Sequence, residues 1–351
     1  MSSLSTPRFS VVIATYNYGR FLSQAIESVL GQSLSSTLVE TIVVDDGSTD
    51  DTGNILRRYA NVVRVIHQEN HGQAAALNAG ISVARGEFIA LLDADDYWYP
   101  KRLAEVLARF EREPELGMVH HRLDVVDENG KLVYTVPFRA RLDEGMLRDQ
   151  LLRYGGTWNA LSSAATSAQT FRRSMLDSIL PIPEDFRTMA DGYLATQMAL
   201  TAPVGAVHDS LAAYRLHGGN NWATNDISAA AIRERHLEPL RRVSQLVAAR
   251  LPSPHTLDLT RDRVYVECLC LAEKLEGHWT RSLRHCGTLA RALRHDARLS
   301  PGDKLWRWLH ALALLALPIN CYARLRHWYT ANRTAYRLRR RWFAAEQKAA
   351  A

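Results

Sequence analysis

Three aspartates crowd one short stretch of the chain, Asp93, Asp95 and Asp96, directly after the apolar run Phe88-Ile89-Ala90-Leu91-Leu92. Like charges at that spacing repel, so the cluster calls for a counterion. A hard divalent cation fits, because Mg2+ and its like take oxygen ligands and combine a few carboxylates with phosphate oxygens. The run before the acids is short, follows Gly86 and has no polar position, which predicts a strand buried on both faces. Ligands of open α/β sheets gather at the carboxyl ends of strands. An Asp-x-Asp delivered there predicts a metal held against a phosphorylated substrate. Aspartate also ends strands for reasons of turn chemistry alone, so the neighbouring elements must decide.

Those elements repeat one arrangement. Residues 9–14, 41–44, 62–66 and 88–92 read as strands, and 52–59 and 73–84 as helices between them. Phe21, Leu22, Ala25, Ile26, Val29 and Leu30 recur at helical spacing after the first strand, with Gly31 as a stop. This alternation predicts an α/β fold, a mostly parallel, Rossmann-like sheet flanked by helices. Two common nucleotide-binding folds are excluded. The first turn is Ala14-Thr15-Tyr16-Asn17-Tyr18-Gly19, which is not Gly-x-Gly-x-x-Gly, and the Walker pattern is absent.

Four segments together, Val11-Val12-Ile13-Ala14-Thr15-Tyr16-Asn17, Val43-Val44-Asp45-Asp46-Gly47-Ser48-Thr49-Asp50, Asn78-Ala79-Gly80 and Leu92-Asp93-Ala94-Asp95-Asp96, resemble the family-2 glycosyltransferases of the GT-A fold. The likeness runs over roughly residues 9–222. It implies transfer of a sugar from a nucleotide-sugar, usually with Mg2+ or Mn2+ and with inversion at the anomeric carbon. On that pattern Ala14, Tyr16, Asn17, Asp46, Asn78, Asp93 and Ala94 bind the nucleotide-sugar, with a UDP-sugar the first choice, and Asp95 and His217 address the metal. The residue chemistry agrees: Tyr16 offers an aromatic face to a base, and Asp46 can accept a hydrogen bond from a base N–H. Arg85 has either a phosphate or a solvated surface to meet. Family members usually carry Glu-Asp at the start of a later helix, with the Asp as general base. Asp191 matches and Ala190 departs; an Asp there also caps a helix, and the two roles are compatible. Tyr214-Arg215-Leu216-His217 followed by two glycines resembles the family's end-of-domain loop, and imidazole suits a metal or a diphosphate.

Further on, residues 101–111 read as a helix, 117–121 and 123–126 as strands, and 127–136 as a turn and hairpin. The Gly- and Ser-rich stretch 151–163, with Trp158, is read as the acceptor side. A weak strand follows at 165–171, and two more at 206–207 and 211–214. The domain division expected is a GT-A domain over 1–224 and a helical region over 225–351, with helices at 229–250, 261–278, 280–295 and from 301. The apolar stretch 312–319 is interrupted by Pro318 and falls short of the ~20 residues that span a bilayer. Between Arg324 and Phe343 stand seven Arg, no acid and five aromatic residues. Trp and Tyr favour the membrane interface and Arg is drawn to anionic lipid, so the tail predicts contact with an anionic membrane surface. The acceptor expected is a saccharide or a lipid-linked saccharide, in bacterial surface polysaccharide or glycolipid assembly.

A net charge of +6 and a pI near 9.2 suit phosphates, nucleic acids or anionic membranes. No nucleic-acid motif accompanies the arginines, so no nucleic-acid partner is expected. The four cysteines make no zinc spacing and read as reduced thiols, and no apolar signal segment opens the chain. Both point to the cytoplasm, and the basic, aromatic tail points to the inner face of the membrane. Two rivals are weaker. A nucleotidyltransferase would show a Gly-rich, basic first loop, and a non-catalytic saccharide-binding protein would not need Asp93, Asp95 and Asp191 intact.

Overall fold

The computed structural model describes residues 6–136, 142–160, 165–220, 228–251, 257–296, 299, 301–318 and 321–322. It divides into two compact units, one of residues 1–130, 135–151 and 161–215, the other of 131–134, 152–160 and 216–351.

In the first unit β1 (Phe9–Thr15), α1 (Gly19–Leu30), β2 (Val39–Asp46), α2 (Thr52–Tyr59), β3 (Arg64–Gln68), α3 (Gln73–Val83) and β4 (Phe88–Asp93) alternate as expected. They are followed in the chain by β5 (Tyr97–Trp98), α4 (Arg102–Arg112), β6 (Met118–Val126), β7 (Leu132–Val136), α5 (Arg148–Arg153), β8 (Thr170–Arg172), α6 (Arg173–Leu176), α7 (Ala190–Thr201) and β9 (Val204–Arg215), of which residues 132–134 and 152–153 fall to the second unit. Eight strands run in the order β3-β2-β1-β4-β8-β6-β9-β5. The first four are parallel. The sheet then becomes mixed, because β8 lies antiparallel to both β4 and β6, while β6 and β9 are parallel.

The apolar strands are buried on both faces. Val11, Ile13, Val43, Ala90 and Leu92 pack with Leu22 and Ile26 of α1 and with Val106 and Phe110 of α4. The alternate residues meet α3, so closely that a Cβ on Gly80 would lie 2.5 Å from Val12. Only glycine allows that approach. Phe88 stacks on Phe110 with ring centroids 4.4 Å apart; truncating such a core ring typically costs about 3–5 kcal/mol.

Several elements differ from the sequence reading for local reasons. The third strand begins at Arg64, because the N–H groups of Val62 and Val63 both return to the Tyr59 carbonyl and close α2. Leu30 is exposed in the last turn of α1. The two strand pieces at 117–126 are one strand, broken by a bulge at Arg122 where its register against β9 shifts. The pieces at 206–214 are likewise one strand, and the exposed His208 and Asp209 had hidden its continuity. The expected weak strand at 165–171 is half 3₁₀ turn, Thr166–Ala168, and only then β8. In the predicted hairpin, Gly130 closes the turn onto the Asp127 carbonyl, and Thr135 of β7 donates to Asp124 of β6 at 2.7 Å.

The second unit is helical, as expected: α8 (Ala229–Ile232), a π-helical turn (Arg233–Leu237), α9 (Glu238–Ala249), α10 (Arg263–Leu275), α11 (Trp279–His295) and α12 (Pro301–Ala316). Leu237, Leu240, Val266, Leu289, Leu293 and Leu314 belong to its core. Asp262 caps α10 by accepting from the Tyr265 N–H. Lys274 donates to the Leu314, Leu315 and Leu317 carbonyls, satisfying the end of α12. Cys270 and Cys286 are buried free thiols, 3.6 Å apart. Among the described residues no helix is long and apolar enough to cross a membrane. The arginine-rich tail lies outside the described residues.

Candidate active site

The site is built on the carboxyl end of β4. Strand alternation leaves Leu92 in the core and brings Asp93 to the strand's end, where the chain turns as the Asp96 N–H bonds to the Asp93 carbonyl. One oxygen from each of Asp93, Asp95 and Asp96 lies within 4.8 Å of the others. The turn is held from two sides. Ser167 accepts from the Asp93 N–H at 3.1 Å and donates to Asp96 at 2.6 Å. Arg215, at the end of β9, gives its backbone N–H to Asp96 and its Nε to the Asp95 carbonyl, both at 2.9 Å. The rest of its guanidinium reaches the Glu128 carbonyl and the Gln24 side chain. One buried arginine thus ties the acidic turn to α1 and to the turn after β6.

A second support lies beneath. The Trp98 indole donates to the Ser167 carbonyl at 2.8 Å. The buried guanidinium of Arg102 sits 3.6 Å from the centre of that ring and donates to His121, to the Gln169 carbonyl and to Thr170. The 3₁₀ turn that carries Thr166 and Ser167 is therefore fixed from below.

Asp191, second residue of α7, comes to the same place. The charge of Asp191 raises the Asp93 carboxyl, and the neighbouring Thr166 side chain favours the ionised form of both. Burial, then the charges of Asp95 and Asp191, push Asp93 well above the usual carboxylate range. Burial, then Asp95 and Asp93, do the same to Asp96, against the bonds from Ser167 and Arg215. Burial also raises Asp191, against hydrogen bonds from Gly192 and Thr166. A knot of carboxyls that are hard to ionise together is what a cation of two charges would relieve. Asp93, Asp95 and Asp96 fit such an ion in number and in donor type.

The other predicted residues are placed as follows. Ala14 pairs in register with Asp93 across β1 and β4, and Ala94 is buried in the turn. Tyr16 is 46% exposed. Asn17 adopts a left-handed φ of 59° and binds the loop after β2, accepting from the N–H groups of Thr49 and Asp50. Asp46 accepts three hydrogen bonds, from the Gln68 side chain and the N–H groups of His71 and Gly72. A carboxylate has about four acceptor sites, so one is left for a ligand N–H. Asn78 is not gathered into the acidic cluster: its amide donates to and accepts from the Ile182 backbone, at 2.8 and 2.9 Å. Arg85 pairs with Glu40. His217 follows Arg215 by two residues; its Nδ1 accepts from the Gly219 N–H, and its own N–H donates to Asn220.

Four contributors went unread in the sequence. Thr166 and Ser167 fall in a stretch whose sequence predicts a strand. Arg215 stands in the sequence only as part of the Tyr214-Arg215-Leu216-His217 motif. Tyr18, at the N-cap of α1, is pushed up by burial first and then by the charges of Asp95, Asp93 and Asp96. Its position three residues after the end of β1 was the only signal.

Comparison with known proteins gives the family and the fold. A family model described as glycosyl transferase family 2 matches residues 10–180. An uncharacterized glycosyltransferase of Nostoc is 36% identical over 219 residues, 61% of this chain and 66% of that protein. Glycosyltransferase GlyG of Streptococcus pneumoniae is 32% identical over 236 residues, 63% of this chain and 75% of that protein. The chain thus spans about two thirds to three quarters of these relatives. Among solved structures, S. aureus TarS in complex with UDP-GlcNAc superposes with a TM-score of 0.55 at 20% identity, over 92% of this chain and 91% of that one. A mannosyltransferase of Pyrobaculum calidifontis in complex with GDP-Man and Mn2+ does so with a TM-score of 0.52 at 20% identity, over 94% and 87%. At that identity the likeness is one of fold, and the fold is GT-A.

Proposed function

The chain belongs to glycosyltransferase family 2, and on that premise we propose that it is an inverting, metal-dependent transferase that moves a sugar from a nucleotide-sugar to an acceptor hydroxyl. The observation that carries this is the cluster of Asp93, Asp95 and Asp96 oxygens within 4.8 Å of one another at the end of β4, with Asp191 near enough for its charge to raise Asp93. It sets a proton acceptor beside a cation-type cluster, which is what a single displacement at an anomeric carbon needs. The Asp191 carboxylate takes the acceptor hydroxyl's proton as its oxygen attacks. The nucleoside diphosphate departs from the opposite face, so configuration inverts. A divalent ion held by Asp95 with Asp93 and Asp96 would balance the charge developing on the diphosphate. Tyr16 stacks on the base and Asp46 takes a base N–H. The nucleotide-sugars and Mn2+ bound by the two structural neighbours support the donor class and the ion, with a UDP-sugar as the first donor to try. This chemistry is assigned to residues 1–224, with 225–351 as a helical region. The test is a screen of UDP- and GDP-sugars with Mn2+ for transfer and hydrolysis, with NMR of the product anomer. Retained configuration would overturn the single displacement.

A membrane-surface role for the helical region has an observation of its own. Leu305, Trp308, Leu309 and Leu312 of α12 recur at helical spacing and are each 42–50% exposed. From residue 279 onward the sequence carries fifteen Lys and Arg against three Asp and Glu. An apolar row with surrounding positive charge suits the surface of an anionic bilayer, where each basic residue contributes about 1 kcal/mol. A lipid-linked saccharide acceptor, as in surface polysaccharide assembly, would be met there. The full chain is expected to float with anionic vesicles at low salt and to release as salt rises. Trp308→Glu with Leu309→Glu should weaken that binding without unfolding the protein, since both side chains are exposed. Equal flotation with neutral vesicles, or none at all, would remove the membrane from the reading.

A further inference from the structure

The helix that carries Asp191 starts without a cap of its own. Met189, in the N-cap position, has no side-chain bond to the helix and sits at a left-handed φ of 62°. Such a conformation costs about 1–3 kcal/mol in a residue other than glycine and persists only where its surroundings enforce it. The N–H groups of a helix's first turn have no partner inside the helix. Here the Ala190 N–H, next to Asp191 in the chain, donates to the side-chain oxygen of Gln73 at 3.0 Å. Ala190 is fully buried, so water cannot replace that acceptor.

Gln73 is itself held firmly. It is the first residue of α3, and its backbone N–H donates to the Arg187 carbonyl, as the Ala74 N–H does to Phe186. Gly72 before it, at φ 93°, lies so close to this segment that a Cβ would be 2.8 Å from the Arg187 Cα. The Gly72 N–H in turn donates to Asp46 at 2.8 Å. Hydrogen bonds therefore run from the Asp46 carboxylate through the start of α3 to the residue beside Asp191.

We propose that Gln73 is a positioning residue for catalysis: by capping α7 from α3 it fixes the first turn of that helix, and so the direction in which Asp191 presents its carboxylate to the acceptor. The inference rests on Asp191 being the base. It goes further in naming a side chain on another helix that sets the base's aim, through an acceptor that neither Ala190 nor Met189 supplies. Misplacement of a reacting group by about 1 Å can cost about 10²-fold in rate, so the loss of one cap far smaller than a folding defect can still be seen in turnover.

The experiment compares Gln73→Met, which keeps length but removes the acceptor, with Gln73→Glu, which keeps an acceptor for the Ala190 N–H. Turnover, donor KM, UDP affinity and melting temperature are read on the full chain, with Asp191→Asn alongside. The expected result is a fall in kcat of about 10- to 100-fold for Gln73→Met, with donor KM and UDP affinity within about threefold of the parent, since uniform binding is not what was lost. Gln73→Glu should recover most of that turnover. Parental kcat in Gln73→Met overturns the proposal. So does an equal fall in both variants, or a fall matched by lost UDP affinity, which would assign Gln73 to the donor site. If Asp191→Asn keeps full turnover, the reading of Asp191 as base fails instead, whatever Gln73 does.

Discussion

Asp191→Asn should lower turnover about 10²- to 10⁴-fold, the usual worth of a positioned general base, and leave donor binding intact. The substitution keeps the shape of the side chain and an oxygen that Thr166 can still meet, but the carboxamide cannot take a proton. The parent's own pH profile should report the same group. Burial raises Asp191, so the base form is lost higher on the pH scale than for an ordinary Asp, and kcat should fall with acid through that raised value. The stability consequence has the opposite sense. A carboxyl whose folded pKa is raised stabilises the fold fully below its unfolded pKa, and that contribution is lost as pH rises through the folded value. Removing the charge should therefore make Asp191→Asn at least as stable as the parent at neutral pH, with no advantage below the ordinary Asp range. An inactive variant that melts later than its parent would separate chemistry from folding. Unchanged turnover would leave Asp191 as a helix-start residue only.

The parts of this site that could be read in the sequence are those whose local pattern is strong. Phe88 to Leu92 has no polar position, so its strand, its double burial and the delivery of Asp93 at its end follow from the run alone. β1 and β2 were equally legible, because each holds a short apolar run followed by a helical period, whereas β3, Arg64–Gln68, holds only two apolar residues and its bounds were not. What could not be read is what depends on partners far away in the chain. Ser167 is an unremarkable residue in a Ser- and Ala-rich stretch until β8, antiparallel to β4, brings it 2.6 Å from Asp96. Arg215 serves four partners, and all of them lie more than 80 residues before it. Gln73 looked like an ordinary first helical residue, since nothing near it in sequence shows that Ala190 needs an acceptor. Asn78 shows the reverse case. Its motif was plain, but its amide closes on Ile182, so the motif's position was legible and its side-chain partner was not. The bulge at Arg122 likewise could be seen only as a polar interruption, because a register shift is a property of two strands.

Asp95→Asn should abolish most turnover and, in the same variant, most of the response to divalent cations. The argument begins with the protein without its ion. Asp93 and Asp96 are both raised by burial and then by the charge of Asp95, so their contribution to stability is full below the ordinary Asp range and is lost as pH rises through their elevated values. At neutral pH the ion-free fold carries the resulting repulsion, and at pH 5 it carries less. A cation that binds this knot of carboxylates should therefore raise the melting temperature more at pH 7.5 than at pH 5. At 100 times its dissociation constant the ion would contribute about 2.7 kcal/mol, worth several degrees in a protein of this size. The Asp95 carbonyl is held by Arg215 at 2.9 Å, and Asn keeps that backbone bond and the side-chain shape while removing one negative ligand. The loss in rate should be 10²-fold or more, since balancing the charge on a departing diphosphate is worth several kcal/mol and each 1.36 kcal/mol is about tenfold. The measurements are melting temperature against Mn2+ at both pH values and turnover with and without chelator. Full activity in chelator, or an Mn2+ shift as large in Asp95→Asn as in the parent, would show that this cluster is not where the ion acts.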